Sequence, residues 1–266
     1  MVFGTAASVL AQSSVDSTAA GDQTVAQGKN WLLMGGVKLW ANSWDTSYTD
    51  YVPQAGSHVV EVTGNSLAVI PNALFKYKSV FASLGYLTSG NYTFPAYTET
   101  LNVSGTPHTA VTNSEASRNE LDLNLGYYFV PNVYVSMGYK NVTQKYSTTL
   151  TGSGLVTQNS NSETYYNGVT VGIGGSSAIG SGFSIYGNGA GGFLVETTKG
   201  GTYSDNASYI NSELGLAWTG GPVTVTAGYR YQIITTYLTN NDGAGYAGQD
   251  AIDLTNGWIF GLNYAF

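Results

Sequence analysis

Eight charged residues carry most of the chemistry available to this chain: Lys38, Glu120, Asp122, Lys140, Glu196, Glu213, Arg230 and Asp253. Each lies in a segment whose side chains alternate in character. Each falls on the face that also holds glycines and small polar residues. Lys38 shares its face with Gly36, Trp40 and Asn42, and Lys140 and Gln144 share theirs with Ser136 and Gly138. Glu213 falls with Asn211, and Arg230 with Thr224, Thr226, Gly228 and Gln232. Lys38, Glu213 and Arg230 come near the middle of their segments. Charges gathered on one enclosed face have two uses. They can neutralise one another, because an unpaired charge away from water is costly. They can also form a constriction that selects permeating solutes by charge. The spacing predicts that Arg230 and Lys38 pair with Glu213 and neighbouring acids.

Other chemistry has less to stand on. The chain has no cysteine, which excludes disulfides, thiolate catalysis and thiolate metal sites. Its two histidines are His58 and His108. His58 follows Ser57 directly, but catalytic triads are spatial and not sequential. Asp45, Asp50, Asp242 and Asp250 are scattered, and the Asn-Asn-Asp-Gly run at 240–243 suits turns better than calcium. No metal and no cofactor is expected, and the chain reads as a non-enzyme. A formal charge of −7 supplies no basic stripe for nucleic acid.

The elements that must position these residues are strands. Charged residues make up 9% of the 266, where about 25% is usual for a soluble domain. No window approaches the roughly 18 apolar residues of a membrane helix. The periodicity is two. Leu121, Leu123, Leu125, Tyr127 and Phe129 face one way, and Glu120, Asp122, Asn124 and Gly126 the other. Strands are predicted over 31–43, 59–77, 80–92, 118–129, 133–148, 163–178, 183–197, 207–218, 222–238 and 252–266. Pro71 weakens the second, because proline in a strand marks an edge or a bulge. Glycines crowd the seventh, where they leave room for larger neighbours. Short turns near residues 78, 131, 181 and 220 alternate strictly with longer segments at 44–58, 94–117, 149–162, 198–206 and 239–251. Within these, 44–51 and 92–97 are aromatic-rich and suit positions in an upper interfacial girdle or, as the alternative, contact with sugars or partners.

The last of these strands, IDLTNGWIFGLNYAF over 252–266, puts Trp258, Phe260, Leu262, Tyr264 and the terminal Phe266 on one face. It resembles the C-terminal signal of bacterial outer-membrane β-barrel proteins. Taken with the ten predicted strands and the alternation of short and long connections, that resemblance implies an all-β fold: a closed antiparallel up-and-down transmembrane barrel of about ten strands, with short periplasmic turns and longer outer loops. It further implies residence in the bacterial outer membrane, contact with its lipid, and recognition of the final strand by the assembly machinery. Three features favour apolar side chains facing out rather than in. The other face carries glycines and charges. Tyr77, Tyr92, Tyr127, Trp218 and Tyr237 recur near strand ends, as an interfacial girdle does. A soluble surface would hold far more Lys and Glu.

Residues 1–12 look like the end of a signal peptide, with a cut after Ala11. Residues 13–30 read as a disordered periplasmic tail and 31–266 as the barrel. The expected function is a small porin-like channel or diffusion pore for a small polar solute, with a narrow, charged lumen. Two alternatives stand beside it. One is a non-conducting surface barrel whose outer loops bind a ligand, host surface or partner. The other is a hydrolase of the omptin type, a family of ten-stranded barrels with paired acids and an Asp-His couple at the rim.

Overall fold

The computed structural model describes residues 31–52, 56–103, 105–152, 157–200, 204–237 and 250–266. The predicted leader and tail lie outside the described residues. Eleven strands make one sheet: β1 (Trp31–Val52), β2 (Gly56–Tyr77), β3 (Val80–Thr93), β4 (Tyr97–Val103), β5 (Thr106–Val130), β6 (Val133–Gly152), β7 (Gln158–Gly180), β8 (Phe183–Thr198), β9 (Ser204–Gly220), β10 (Val223–Tyr237) and β11 (Asp250–Ala265). Neighbours in the chain pair antiparallel except β3 and β4, β1 pairs β11, and β3 pairs β5, so the sheet closes on itself. β3 and β4 both pair β5 and are one stave broken at residues 94–96, where Pro95 interrupts the ladder. The barrel therefore has ten staves, as the sequence predicts.

The register sets the barrel's shape. A walk across the ladder from Met34 passes Leu74, Ser83, Asn124, Gly138, Thr170, Gly192, Tyr209, Ile234 and Asp253. It returns to β1 at Thr46, 12 positions above its start. That stagger over ten staves tilts the strands by roughly 40° and leaves an interior that side chains can fill. The tight turns close one end. Ser181 and Gly182 both have positive φ, at 53° and 80°. That is the backbone a two-residue hairpin requires to match the twist of its strands.

Several stretches expected to be loops continue as strands. β1 runs on through Val52, β5 starts at Thr106, β6 ends at Gly152, β7 starts at Gln158, and 97–103 becomes β4. These stretches are rich in Thr, Ser and Asn on both faces. The ladder persists there, but the contrast between faces that reveals a strand in a sequence is lost. Pro71 stays inside β2. The β2–β3 ladder steps from Asn72–Gly85 to Val69–Thr88, passing over the residue that has no N–H to give, and a bulge follows before Asn65.

Glycines on the lumen wall act as sockets. The Tyr134 hydroxyl occupies the space a Cβ at Gly174 would need. The Tyr186 hydroxyl lies 2.7 Å from where a Cβ would stand on either Gly215 or Gly228. These sockets lie on β7, β9 and β10 and not on the glycine-crowded strand over 183–197.

Candidate functional site

The lumen is built in layers. Nearest the short turns, Met34, Leu74, Phe81, Tyr128 and Tyr134 form an apolar floor. Phe81 meets Tyr134 edge to face at 5.3 Å between centroids and Tyr128 at 5.6 Å. Aromatic pairs prefer this geometry, since a positive ring edge then meets a negative face.

Above the floor, charges fill the cross-section around one carboxylate. Glu120 accepts from Arg118 Nε at 2.7 Å, from Gln232 Nε2 at 2.9 Å and from Lys140 Nζ, and Arg230 stands 3.6 Å away. Lys140 also reaches Asp122 at 3.0 Å. Arg230 donates to Asn211 at 2.8 Å and Gln232 at 2.9 Å, and its guanidinium lies 4.6 Å from the Trp40 ring centroid. Lys38 pairs with Glu213 at 3.2 Å, and Tyr186 donates to the same carboxylate at 2.9 Å. Lys38 thus takes Glu213, as the spacing predicts, while Arg230 turns to Glu120. Arg118 and Lys140 have no exposed side-chain surface, and Glu120 has 1%.

The third layer is aromatic and acid-bound. Arg118 lies over Trp44 at 5.4 Å, and Trp44 packs on Tyr92 at 4.9 Å. Asp253 accepts from Trp44 Nε1 and from Gln144 Nε2, each at 3.1 Å, and from the Thr46 hydroxyl. Tyr92 donates to Asn42 at 2.7 Å.

Of the eight charges singled out in the sequence, Glu120, Asp122, Lys140 and Arg230 form one cluster, and Lys38 and Glu213 a second pair beside it. Asp253 anchors the upper layer. Glu196 stands apart, half-buried on β8 opposite Tyr166 and Asp205. Sequence reasoning missed Arg118, which it placed at a strand start. Its even number, shared with Glu120 and Asp122, was the available signal. It also missed Trp44, assigned to a loop.

One girdle assignment is corrected. Tyr77, Tyr127, Trp218 and Tyr237 face outward and are exposed, but Tyr92 points into the lumen with 1% of its surface exposed. The cause is a bulge in β3 between Leu87 and Gly90. One extra residue swaps every later side chain to the opposite face.

Outside, the wall carries an apolar belt that includes Leu123, Leu125, Met137, Val169, Val171, Leu214 and Leu216. On the last strand Trp258, Phe260, Leu262, Tyr264 and Phe266 are exposed on this face. Trp258 meets Tyr229 edge to face, with 5.5 Å between centroids. At the end away from the short turns, above the belt, the Glu163 carboxylate holds Lys145 at 3.0 Å and Lys199 at 2.8 Å. The hydrogen bonds from Lys199, Lys145 and Tyr165 lower its pKa to about 2. A carboxyl with a lowered folded pKa adds stability above the ordinary carboxylate range and loses it as pH falls through the folded value. Glu163 is therefore expected to stay charged to near pH 2. Lys199→Gln should move its titration back toward the ordinary range in a carbon-detected NMR titration. Both lysines are exposed, so added salt should weaken the cluster where mild acid does not.

Among the described residues no group of His, Asp and Glu is placed to hold a metal ion. His108 lies on β5 opposite Leu101, and the side chain of His58 lies outside the described residues.

No protein-family model and no curated protein matches the chain. In fold it is similar to the outer membrane protease OmpT of Escherichia coli, with a TM-score of 0.53 and 14% identity over 88% of this chain and 97% of that one. Weaker likenesses are to the beta domain of the Bordetella autotransporter BrkA and to Neisserial surface protein A. The first has a TM-score of 0.44 and 11% identity over 90% and 100% of the two chains. The second has a TM-score of 0.32 and 11% identity over 88% and 99%. Apolar side chains around the outside of a closed sheet suit a bilayer, so the chain has both the fold and the outward apolar surface of the β-barrels that span the bacterial outer membrane.

Proposed function

We propose that this protein is a closed barrel that works from its outer rim, presenting its external loops to a ligand or partner, and that it does not pass solutes by free diffusion. The observation that carries this reading is the filled cross-section at Glu120. Arg118, Lys140, Gln232 and Glu120 itself, each buried, meet there within one hydrogen-bonded layer, and Arg230, lying over the Trp40 ring, stands 3.6 Å from the same carboxylate. A pore for polar solutes needs a continuous wet path, and its charges line that path. Here the charges are spent on one another, and aromatic layers lie above and below them. This favours the surface-barrel alternative over the porin-like expectation. Proteolysis does not come with the fold that OmpT shares, because activity resides in a site and not in an architecture.

Planar bilayers test the reading. The refolded protein should give no stable single-channel steps at neutral pH, and reproducible steps from the folded monomer would refute it.

We also infer that the outward aromatics from Trp258 to Phe266 are what the assembly machinery reads, as the resemblance of this strand implies.

A further inference from the structure

At one place on the outer rim the main chain is left without a neighbouring strand. Among the described residues β4 pairs β5 alone, and β2 meets β3 only as far as Asn65–Thr93, so Gly56–Gly64 pairs β1 alone. Above the break at 94–96, the stave between β2 and β5 thus leaves two sheet edges unpaired. Phe94 sits at the foot of this gap. Its amide donates to the Ser114 carbonyl at 3.1 Å, which keeps the chain on β5. Its ring lies against Gly64 on β2, 2.8 Å from where a Cβ would stand. The partners of β4 on β5, Thr106–Thr112, lie well beyond Leu123, the last leucine of the exposed belt on that strand, so the β4 edge stands in water.

The hairpin sets which main-chain groups of β4 are free. Val103 pairs Thr106 across a two-residue connection. The closing pair of such a hairpin exchanges both of its main-chain bonds, and bonded and unbonded pairs alternate from there. Tyr97, Glu99 and Leu101 therefore bond β5, while Thr98, Thr100 and Asn102 turn their N–H and C=O groups away from it. Pro107 agrees, because it pairs Asn102, at a position whose N–H is not needed by β4. The edge is also unguarded. Its sequence, YTETLNV, favours strands and holds neither the Lys nor the Pro that keeps natural edges from pairing. Building on the rim reading above, we propose that this edge takes an extended strand of a partner protein, laid antiparallel along β4 and held by its main chain. Another main chain is what supplies N–H and C=O groups at the spacing that Thr98, Thr100 and Asn102 present. Side chains set the guest's pattern. Those turned inward lie beside Leu101, which packs with Ala110 and Leu150. Those turned outward lie beside Thr98, Thr100 and Asn102, all exposed. Alternating apolar and polar residues fit both faces.

The test uses the full chain in detergent micelles and a dye-labelled peptide of alternating valine and threonine, seven residues long like β4. Saturable binding is expected by fluorescence anisotropy. Thr100→Pro removes one edge N–H and no bond to β5, and should weaken binding about tenfold. Thr100→Ala keeps that N–H and should bind as the native protein does. With the valines turned inward, the threonine N–H groups of the peptide are the ones that meet β4, since paired residues share a face. N-methylation of the threonines should therefore abolish binding, and N-methylation of the valines should not. Each protein variant should keep the gel mobility shift on heating that marks a folded barrel. Equal binding of the threonine-methylated peptide would overturn main-chain recognition. Native affinity in Thr100→Pro, or no binding of the unmodified peptide, would overturn the site. Dimerisation in micelles that Thr100→Pro abolishes would give the edge to a second copy and overturn the partner strand. None of these outcomes bears on the closed-barrel reading, which conductance decides.

Discussion

Glu120→Ala lowers the stability of the folded barrel by about 3–5 kcal/mol, the range for breaking a buried ion pair by removing one partner. Three cations depend on this carboxylate: Arg118, Lys140 and Arg230. Without it, Lys140 keeps Asp122 and Arg230 keeps Asn211 and Gln232. Arg118 keeps only its bond to Thr255 at 2.9 Å and its place over the Trp44 ring. Three like charges then share a narrow interior without their common counter-ion. Urea unfolding in micelles, followed by tryptophan fluorescence, measures the loss. Glu120→Gln keeps the shape and an acceptor oxygen but removes the charge, so it should fall between native and alanine. Adding Lys140→Met to Glu120→Ala should recover part of the loss, because one orphaned charge leaves with its partner. A change below about 1 kcal/mol for Glu120→Ala would mean that water already screens these charges, and the filled lumen would then be the wrong description.

Gly257→Val should prevent the barrel from closing. Gly257 lies on β11 between Asn42 on β1 and Arg230 on β10. A Cβ there would fall on the Ala41 carbonyl oxygen and 2.6 Å from Asn42 Cα. Both are backbone atoms, so no rotamer change relieves the clash. β1–β11 is the pairing that joins the two ends of the sheet. A valine must push these strands apart where the ladder is continuous from Met34 to Thr46. The expected readout is loss of the heat-dependent gel shift and exposure of the protein to protease, an effect far larger than for Gly187→Ala. At Gly187 a Cβ meets nothing nearer than Leu214 at 3.4 Å. A Gly257→Val barrel that still shifted on heating would show that this seam can spread without opening.

Much of the architecture was legible because a membrane barrel writes a strong contrast along its strands. Leu121, Leu123 and Leu125 must meet lipid while Glu120, Asp122 and Asn124 must not, and a period of two records that directly. The contrast ends where the bilayer ends. The upper parts of β1, β5 and β7 have polar surroundings on both faces, so their pairing leaves no alternation in the sequence and the residues there look like loops. Tyr92 shows a second limit. Its face depends on one extra residue near Leu87, and a bulge of that kind is set by how β3 fits β5.

From its residues alone this protein reads as an outward-greasy closed cylinder of ten staves with charges inside, because parity sorts the side chains into two faces and the glycines, charges and strand-end aromatics say which face meets lipid. Which charge meets which was settled only in three dimensions. Lys38 and Glu213 lie 175 residues apart, and they touch because the stagger of the closed sheet brings their two strands to the same height across the lumen. The same stagger makes Glu120 the hub and closes the interior, and with that it moves the expected work of the molecule from the lumen to the outer rim.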